Sequence, residues 1–184
     1  MTVDLSDMYM KIPAIDTKRL ILRGFTTADF EPLCSILSDR DVLRYLPNTE
    51  PFPPQVVERI MLRQAKHWQE HGYGWYAVAD RQTSDLVGWC GLNVLDETGE
   101  TEIKYLLDKP HWGRGLATEA ASRCVQDGFD EQGLDEIIGL VHPQNTASRR
   151  VLEKLGMQYT GGLHLWGLDL DRYTRHRINV VDSG

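Results

Sequence analysis

Apolar residues recur along this chain in two rhythms, every second position and every third or fourth, and the switches between them lay out the elements. Arg19-Leu-Ile-Leu-Arg-Gly alternates and predicts a first strand, after which Thr27 or Asp29 caps a helix carrying Phe30, Leu33, Ile36 and Leu37. A connector rich in Pro, Asp and Asn spans 39–54. From Pro54 the helical rhythm returns through Val57, Ile60, Met61, Ala65 and Trp68 until Gly72 ends it. Trp75-Tyr-Ala-Val-Ala, Leu86-Val-Gly-Trp-Cys-Gly-Leu-Asn-Val and Ile103-Lys-Tyr-Leu-Leu are β-rich runs joined by short polar turns, so antiparallel pairing in sequence order is expected. A helix on Ala117, Ala120, Ala121, Cys124, Val125 and Phe129 leads to a strand at Glu136-Ile-Ile-Gly-Leu-Val-His, a β-α-β crossover that makes one pairing parallel. Asn145 caps a last helix through Val151, Leu152 and Leu155, closed by Gly156, and the runs 163–170 and 173–180 predict two closing strands. The expected architecture is α/β of the α+β kind: one domain over residues 1–184, core about 16–180, with helices flanking a mixed, mostly antiparallel sheet.

Composition sharpens this picture. The 184 residues, 41% hydrophobic with five tryptophans, suffice for one well-buried core and are few for two. Lys+Arg number 20 against 27 Asp+Glu, and the net charge of −7 repels a phosphate backbone, so no nucleic acid is expected and amine or cationic substrates are favoured. Cys34, Cys90 and Cys124 are scattered without Cys-x-x-Cys spacing and read as reduced thiols. Charges run through the first thirty residues, and no stretch approaches the roughly 18 to 20 apolar residues of a membrane helix, so a cytoplasmic protein without membrane association is expected.

The densest chemistry lies in His111-Trp-Gly-Arg-Gly-Leu-Ala-Thr-Glu-Ala, a glycine-bracketed turn between an apolar strand and a helix. Without Cβ atoms, Gly113 and Gly115 accept positive φ and let consecutive amides converge on one anion at the positive end of the helix. A pyrophosphate fits such a seat. A dinucleotide fingerprint is the competing reading, with Asp135 twenty residues after Gly115, but Thr118 stands where the third Gly or Ala belongs and Asp135 precedes its strand.

Three motifs stand in order: Thr17-x-Arg-Leu-x-Leu-Arg, Trp112-Gly-x-Gly-x-Ala-Thr-Glu-Ala and Asn145-x-x-Ser-x-x-Val-Leu-Glu-Lys-x-Gly. Together they resemble the GNAT superfamily of N-acetyltransferases, and within it the ribosomal-protein alanine and serine N-acetyltransferases (RimJ/RimL-like). The likeness runs from about Asp16 to Gly161. It implies a sheet splayed between 103–107 and 136–142, where acetyl-coenzyme A (acetyl-CoA) enters as cosubstrate, and direct acetyl transfer from the thioester to a primary amine. By position, Trp112, Gly113, Arg114, Gly115, Leu116, Ala117 and Thr118 take the pyrophosphate, Tyr105, Leu106 and Leu107 lend backbone groups to the pantetheine, and Asn145 and Ser148 reach that arm. Trp112 stands where many relatives carry Gln or Arg and cannot supply an amide or guanidinium contact.

Acetyl transfer needs a neutral nucleophile, a donor for the developing oxyanion and a proton for the departing thiolate. A backbone N–H near Tyr105 is the candidate oxyanion donor. Glu102 is the candidate base, since burial beside the cleft raises a carboxyl pKa, and it reads equally as a solvated strand-end carboxylate between Glu100 and Lys104. His142 is the second candidate and a water chain the third. Leu152 stands where many relatives have an acidic tyrosine, leaving Ser148, which also reads as a helix-start serine, and Tyr159, which also reads as core. His67-Trp-Gln-Glu-His71 matches the H-x-x-E-H zinc pattern but lacks a third ligand, so no metal is expected. Tyr45, Trp68, Trp75, Trp89 and Trp166 are candidate walls of an acceptor site, and Asp96, Glu97 and Glu100 candidate attractors of a cation. The resemblance to that branch implies a protein amino terminus as acceptor, with a small amine, an amino acid or an antibiotic as the alternative; a non-catalytic acyl-CoA-binding module, monomeric or homodimeric like the enzyme, is the alternative from another class.

Overall fold

The computed structural model describes residues 12–178. One eight-stranded sheet runs in the order β1-β2-β3-β4-β5-β6-β8-β7, with β1 Ile15–Asp16, β2 Leu20–Arg23, β3 Trp75–Asp80, β4 Leu86–Val94, β5 Thr101–Leu107, β6 Glu136–Val141, β7 Gln158–Leu165 and β8 Leu168–His176. The helices are α1 Phe30–Ile36, α2 Arg40–Leu43, α3 Pro54–His71, α4 Leu116–Asp130 and α5 Thr146–Lys154. Among the described residues only β5 and β6 pair in parallel, across the α4 crossover; the other pairings are antiparallel. The mixed sheet flanked by helices is the expected fold class.

Two hydrophobic layers sandwich the sheet. On one face α4 lays Leu116, Ala120, Ala121, Cys124, Val125 and Phe129 against Leu22, Val78, Leu92 and Ile137. On the other, Leu33, Val57, Met61 and Ala65 of α1 and α3 meet Ala77, Trp89 and Leu106. Burial on both faces explains why β4 reads as a continuous apolar run instead of an alternation. Close approach requires glycine at Gly91, where a Cβ would stand 2.0 Å from the Gly74 carbonyl oxygen. No helix among the described residues is long and apolar enough to cross a membrane.

Several boundaries differ from expectation, each for a local reason. The 39–54 connector contains α2, because the Asp39 carboxylate accepts from the Asp41 N–H at 2.8 Å and caps a short turn. Of the two expected caps of α1, Asp29 holds the N-cap position, while Thr27 opens a 3-10 turn before it, itself capped by Thr26, whose N–H donates to the Asp29 carboxylate at 2.7 Å. The closing strands are displaced: Trp166 and Gly167 have φ of 54° and 76° and form the two-residue hairpin turn between β7 and β8, inside the run read as one strand. Val180, the expected end of the last strand, lies outside the described residues.

One ion pair fixes how the first strand hands over to the first helix. Arg23 Nη1 and Nη2 donate to the two Asp29 carboxylate oxygens at 2.7 and 2.8 Å, and Asp29 is buried. Removing the carboxylate leaves the half-buried guanidinium with its charge uncompensated and only the Gly24 carbonyl, at 3.0 Å from Nη1, to accept from it. Asp29→Ala is therefore expected to cost about 3 kcal/mol in urea unfolding at neutral pH; a loss under 0.5 kcal/mol shows that water replaces the pair freely.

Candidate active site

The site begins where two strands stop pairing. β5 and β6 share the single register pair Glu102 with Ile138 and then part. At the two ends of the β4·β5 ladder, the Leu95 N–H donates to the Glu100 carbonyl at 2.9 Å and the Asp108 N–H to the Val87 carbonyl at 2.8 Å. Antiparallel bonding alternates from residue to residue, so Glu102, Lys104 and Leu106 turn their main-chain groups toward β4, whereas Ile103, Tyr105 and Leu107 turn theirs toward β6. Beyond the fork those groups face the gap. The Leu107 carbonyl is covered by the Trp112 indole, whose N–H donates to it at 2.7 Å; the Tyr105 and Leu107 amides remain directed into the gap. Leu106, expected to offer backbone partners as well, has its amide and carbonyl engaged with β4.

The glycine turn forms one mouth of this gap. Gly113 and Gly115 take φ of 72° and 75°, the second as the N-cap of α4, and residues 112–115 are exposed. Nothing lies within 4 Å of where a Gly113 Cβ would stand, so the turn is open to a ligand. The first-turn amides of α4 lack intrahelical acceptors and present positive ends there. Sequence reasoning missed what holds the turn in place. Glu119 accepts from the Thr17 hydroxyl, the Arg19 amide and Arg19 Nε, each at 2.7 Å, while Arg19 Nη1 donates to the Arg114 carbonyl at 2.8 Å. The signal was visible in the Thr17-x-Arg and Thr-Glu-Ala motifs, but nothing in their spacing said that they meet.

Glu102 stands at the fork itself, 2% exposed. Burial pushes its carboxyl up to about 7, against the pull of Lys104 and of the Leu140 amide, two residues along β6 from the last pair with β5. Lys104 Nζ lies 3.2 Å from Oε2, yet that oxygen has no aligned hydrogen-bond partner. The reading of Glu102 as a solvated strand-end carboxylate is thereby overturned. His142, the other base candidate, accepts from the Gln144 N–H on Nδ1 at 3.2 Å and leans its ring on Tyr45 at 5.3 Å.

Across the gap two hydroxyls meet. Tyr105 Oη donates to the Ser148 carbonyl at 3.0 Å and lies 2.8 Å from Ser148 Oγ, tying β5 to the first turn of α5. Asn145 caps that helix, its Oδ1 accepting from the Ser148 N–H at 3.1 Å. Leu152, at the position of the relatives' tyrosine, is buried against Gly139 of β6. Tyr159 is neither core nor engaged with the fork: it is 58% exposed, edge-on to Tyr173.

On the α3 face of the sheet a cavity of about 390 Å³ is lined by Gln64, Trp75, Asn93, Glu97, Lys104 and Trp166, with Arg63 and Asp96 at its edge. Of the expected aromatic walls, Trp75 and Trp166 line it. Trp89 instead stacks under Trp75 at 3.8 Å, Trp68 packs edge-on to Tyr76, and Tyr45 lies by His142. Of the expected acids, Asp96 pairs with Arg63 and Glu97 accepts from the Trp166 indole, while Glu100 is turned away to Arg172 at 2.5 Å.

The zinc and dinucleotide patterns have structural explanations. His67 donates through Nδ1 to the Tyr73 carbonyl at 2.8 Å and accepts from the Val94 N–H on Nε2 at 3.0 Å, which ties α3 to the end of β4 beyond its pairing with β3 and leaves no lone pair for a metal. Among the described residues no group of three or more His, Cys, Asp or Glu is placed to hold one. The strand after α4 lies between one parallel and one antiparallel neighbour, which is not the all-parallel half-domain of a dinucleotide site.

Known proteins share this arrangement. Residues 19–158 match the family described as acetyltransferase (GNAT) domain. The chain is 34% identical over 147 residues to the uncharacterized N-acetyltransferase p20 of Bacillus licheniformis, covering 79% of this chain and 82% of that one. The acetyltransferase of Agrobacterium tumefaciens superposes with a TM-score of 0.80 at 26% identity, over 92% of this chain and 97% of that one. RimL, a ribosomal α-N-protein acetyltransferase in complex with coenzyme A, shares the fold with a TM-score of 0.77 at 17% identity, over 90% and 98%. The parted strands, the glycine turn at the head of α4 and these matches agree, and the chain belongs to the GNAT family of N-acetyltransferases.

Proposed function

We propose that this enzyme binds acetyl-CoA with its pyrophosphate on the 113–117 turn and its pantetheine along β5, and passes the acetyl group directly to a primary amine entering from the α3 face. The observation that carries the reading is the fork: the Tyr105 and Leu107 amides have no strand partner and face the gap, with Glu102 at its base. In this reading the main-chain amides from Gly113 to Ala117 take the phosphates, helped by Trp112, Arg114 and Thr118 at the rim, and Leu107 and Asn145 hold the amide-bearing arm. The Tyr105 N–H polarises the thioester carbonyl, a preorganised donor of a kind that contributes about 3 to 4 kcal/mol to such transfers. Holding amine and thioester in line contributes more, roughly 7 to 11 kcal/mol in well-oriented systems.

Glu102, with its carboxyl near neutrality, takes the proton of the acceptor ammonium. Ser148 Oγ donates to the departing thiolate while the Tyr105 phenol re-aims to support the serine oxygen. The acceptor is a protein amino terminus, as in the ribosomal-protein branch: the three motifs support this, as does the negative net charge, which suits a basic partner. A screen of tripeptide amino termini, free amino acids and polyamines, read by coenzyme A release, tests that choice. Turnover highest on peptides supports it, and turnover confined to free amino acids or polyamines overturns it.

Three variants report on the site. Gly115→Pro removes an amide and forbids φ near 75°, so coenzyme A affinity should fall at least about tenfold by calorimetry; unchanged affinity moves the phosphates elsewhere. Glu102→Gln should lower kcat about a hundredfold near neutral pH and abolish the acidic limb of the rate profile. The same group sets a stability trend. Its folded pKa of about 7 lies above its ordinary value of 4.5, so the native state binds the extra proton and loses stability as pH rises between them. The Tm of the Gln variant should therefore gain on that of wild type from about pH 5 to pH 8, and parallel curves would exclude the raised pKa. Ser148→Ala should lower kcat about tenfold or more with little change in coenzyme A affinity; an unchanged kcat returns Ser148 to a capping role.

A further inference from the structure

The acceptor side of the fork contains an amine of its own. Lys104 follows Glu102 by two residues on the same face of β5 and lines the 390 Å³ cavity beside Trp75, Asn93 and Trp166. Its Nζ lies 3.2 Å from Glu102 Oε2, without an aligned hydrogen bond, and 4.5 Å from the centre of the Trp166 ring. That ring is a fixed wall. Trp166 is held at φ 54°, a left-handed conformation costly for a large side chain, and its indole N–H donates to Glu97 Oε1 at 2.6 Å. The ammonium thus rests between an aromatic face and a buried carboxylate, one residue along the strand from the Tyr105 amide. Other lysines are placed differently: Lys109 pairs with Asp41 and Lys66 with Glu70 on exposed surface.

We propose that Lys104 is an internal acceptor, acetylated on Nζ by the loaded enzyme when no external amine occupies the cavity. The proposal rests on the reading of the gap as the thioester site and of Glu102 as the base. Glu102 takes one proton from the Lys104 ammonium, and the freed amine attacks the thioester carbonyl carbon. The C–N bond forms as the C–S bond breaks, the second nitrogen proton goes to the coenzyme A thiolate, and Glu102 returns its proton to solvent. The product is a neutral amide and free coenzyme A thiol, with no other reactant. Acetylation removes the positive charge that rests on Trp166 and beside Glu102, and the added acetyl group fills space that an external acceptor needs. The enzyme consequently slows itself while acceptor is scarce.

The test is incubation of the full-length protein with acetyl-CoA alone, followed by intact mass and peptide mapping. The expected result is one acetyl group per chain on Lys104, at least tenfold faster than on exposed Lys66 or Lys154, matched by one equivalent of thiol. It is suppressed in Glu102→Gln and slowed when a turned-over external amine is present. Turnover of that amine after preincubation should fall in proportion to the acetylated fraction. Lys104 unmodified, or modified no faster than Lys66, in a preparation that still acetylates external amines, overturns the internal acceptor and leaves the site reading standing. Failure of every amine, with no rise in Tm on adding acetyl-CoA, overturns both.

Discussion

A strand inside a sheet has hydrogen-bonding groups on both edges, and β5 has a partner strand on only one of them past Ile103. An amide or carbonyl left unpaired in a buried setting costs about 1 to 3 kcal/mol, so a folded chain keeps such groups only where something answers them. Trp112 answers the Leu107 carbonyl. The amides of Tyr105 and Leu107 have no strand partner, and the proposed pantetheine would answer them by running alongside like an extra strand. Much else in the molecule serves to hold the fork open: α5 is tied to β5 through Tyr105 and Ser148, and the Arg19–Glu119 pair pins the turn where α4 begins.

The same separation accounts for the electrostatics. Had β5 and β6 stayed paired, the Leu140 amide would have bonded a β5 carbonyl; because they part, it faces the Glu102 carboxylate at the fork. That carboxylate is shielded from water, and the one amide and one ammonium that favour its charged form offset the burial only in part, which is why its proton is held to near neutrality. A carboxyl held there suits the role of base that is proposed for it. Charge elsewhere on the rim is largely spoken for, since Asp96 and Glu97 have partners within the protein.

Much of this was legible in the chain. The 3.6-residue rhythm and the terminal glycines of α3 and α4 set those helices within a residue, and the doubly buried β4 showed as an unbroken apolar run. Two kinds of information were hidden. Positive φ at a tryptophan leaves no compositional mark, so the Trp166-Gly167 turn read as strand and shifted both closing strands. Contacts between residues a hundred apart, such as Arg19 with Glu119, follow from topology and not from spacing, and so did the choice between a buried and a solvated Glu102. Parity along β5 could be foreseen only once its partner was known, which is why Leu106 was grouped with Tyr105 and Leu107. The cavity proposed for the acceptor was the least legible, because its walls come from α3, the β4–β5 turn and the β7–β8 hairpin, three segments brought together by the sheet.

Amide hydrogen exchange with and without coenzyme A tests the fork most directly. The account predicts that Tyr105 and Leu107 gain protection together with the turn from Gly113 to Ala117, while Leu106, already bonded to β4, is unchanged. Bound coenzyme A that protects the turn but leaves the Tyr105 and Leu107 amides exchanging freely would contradict it.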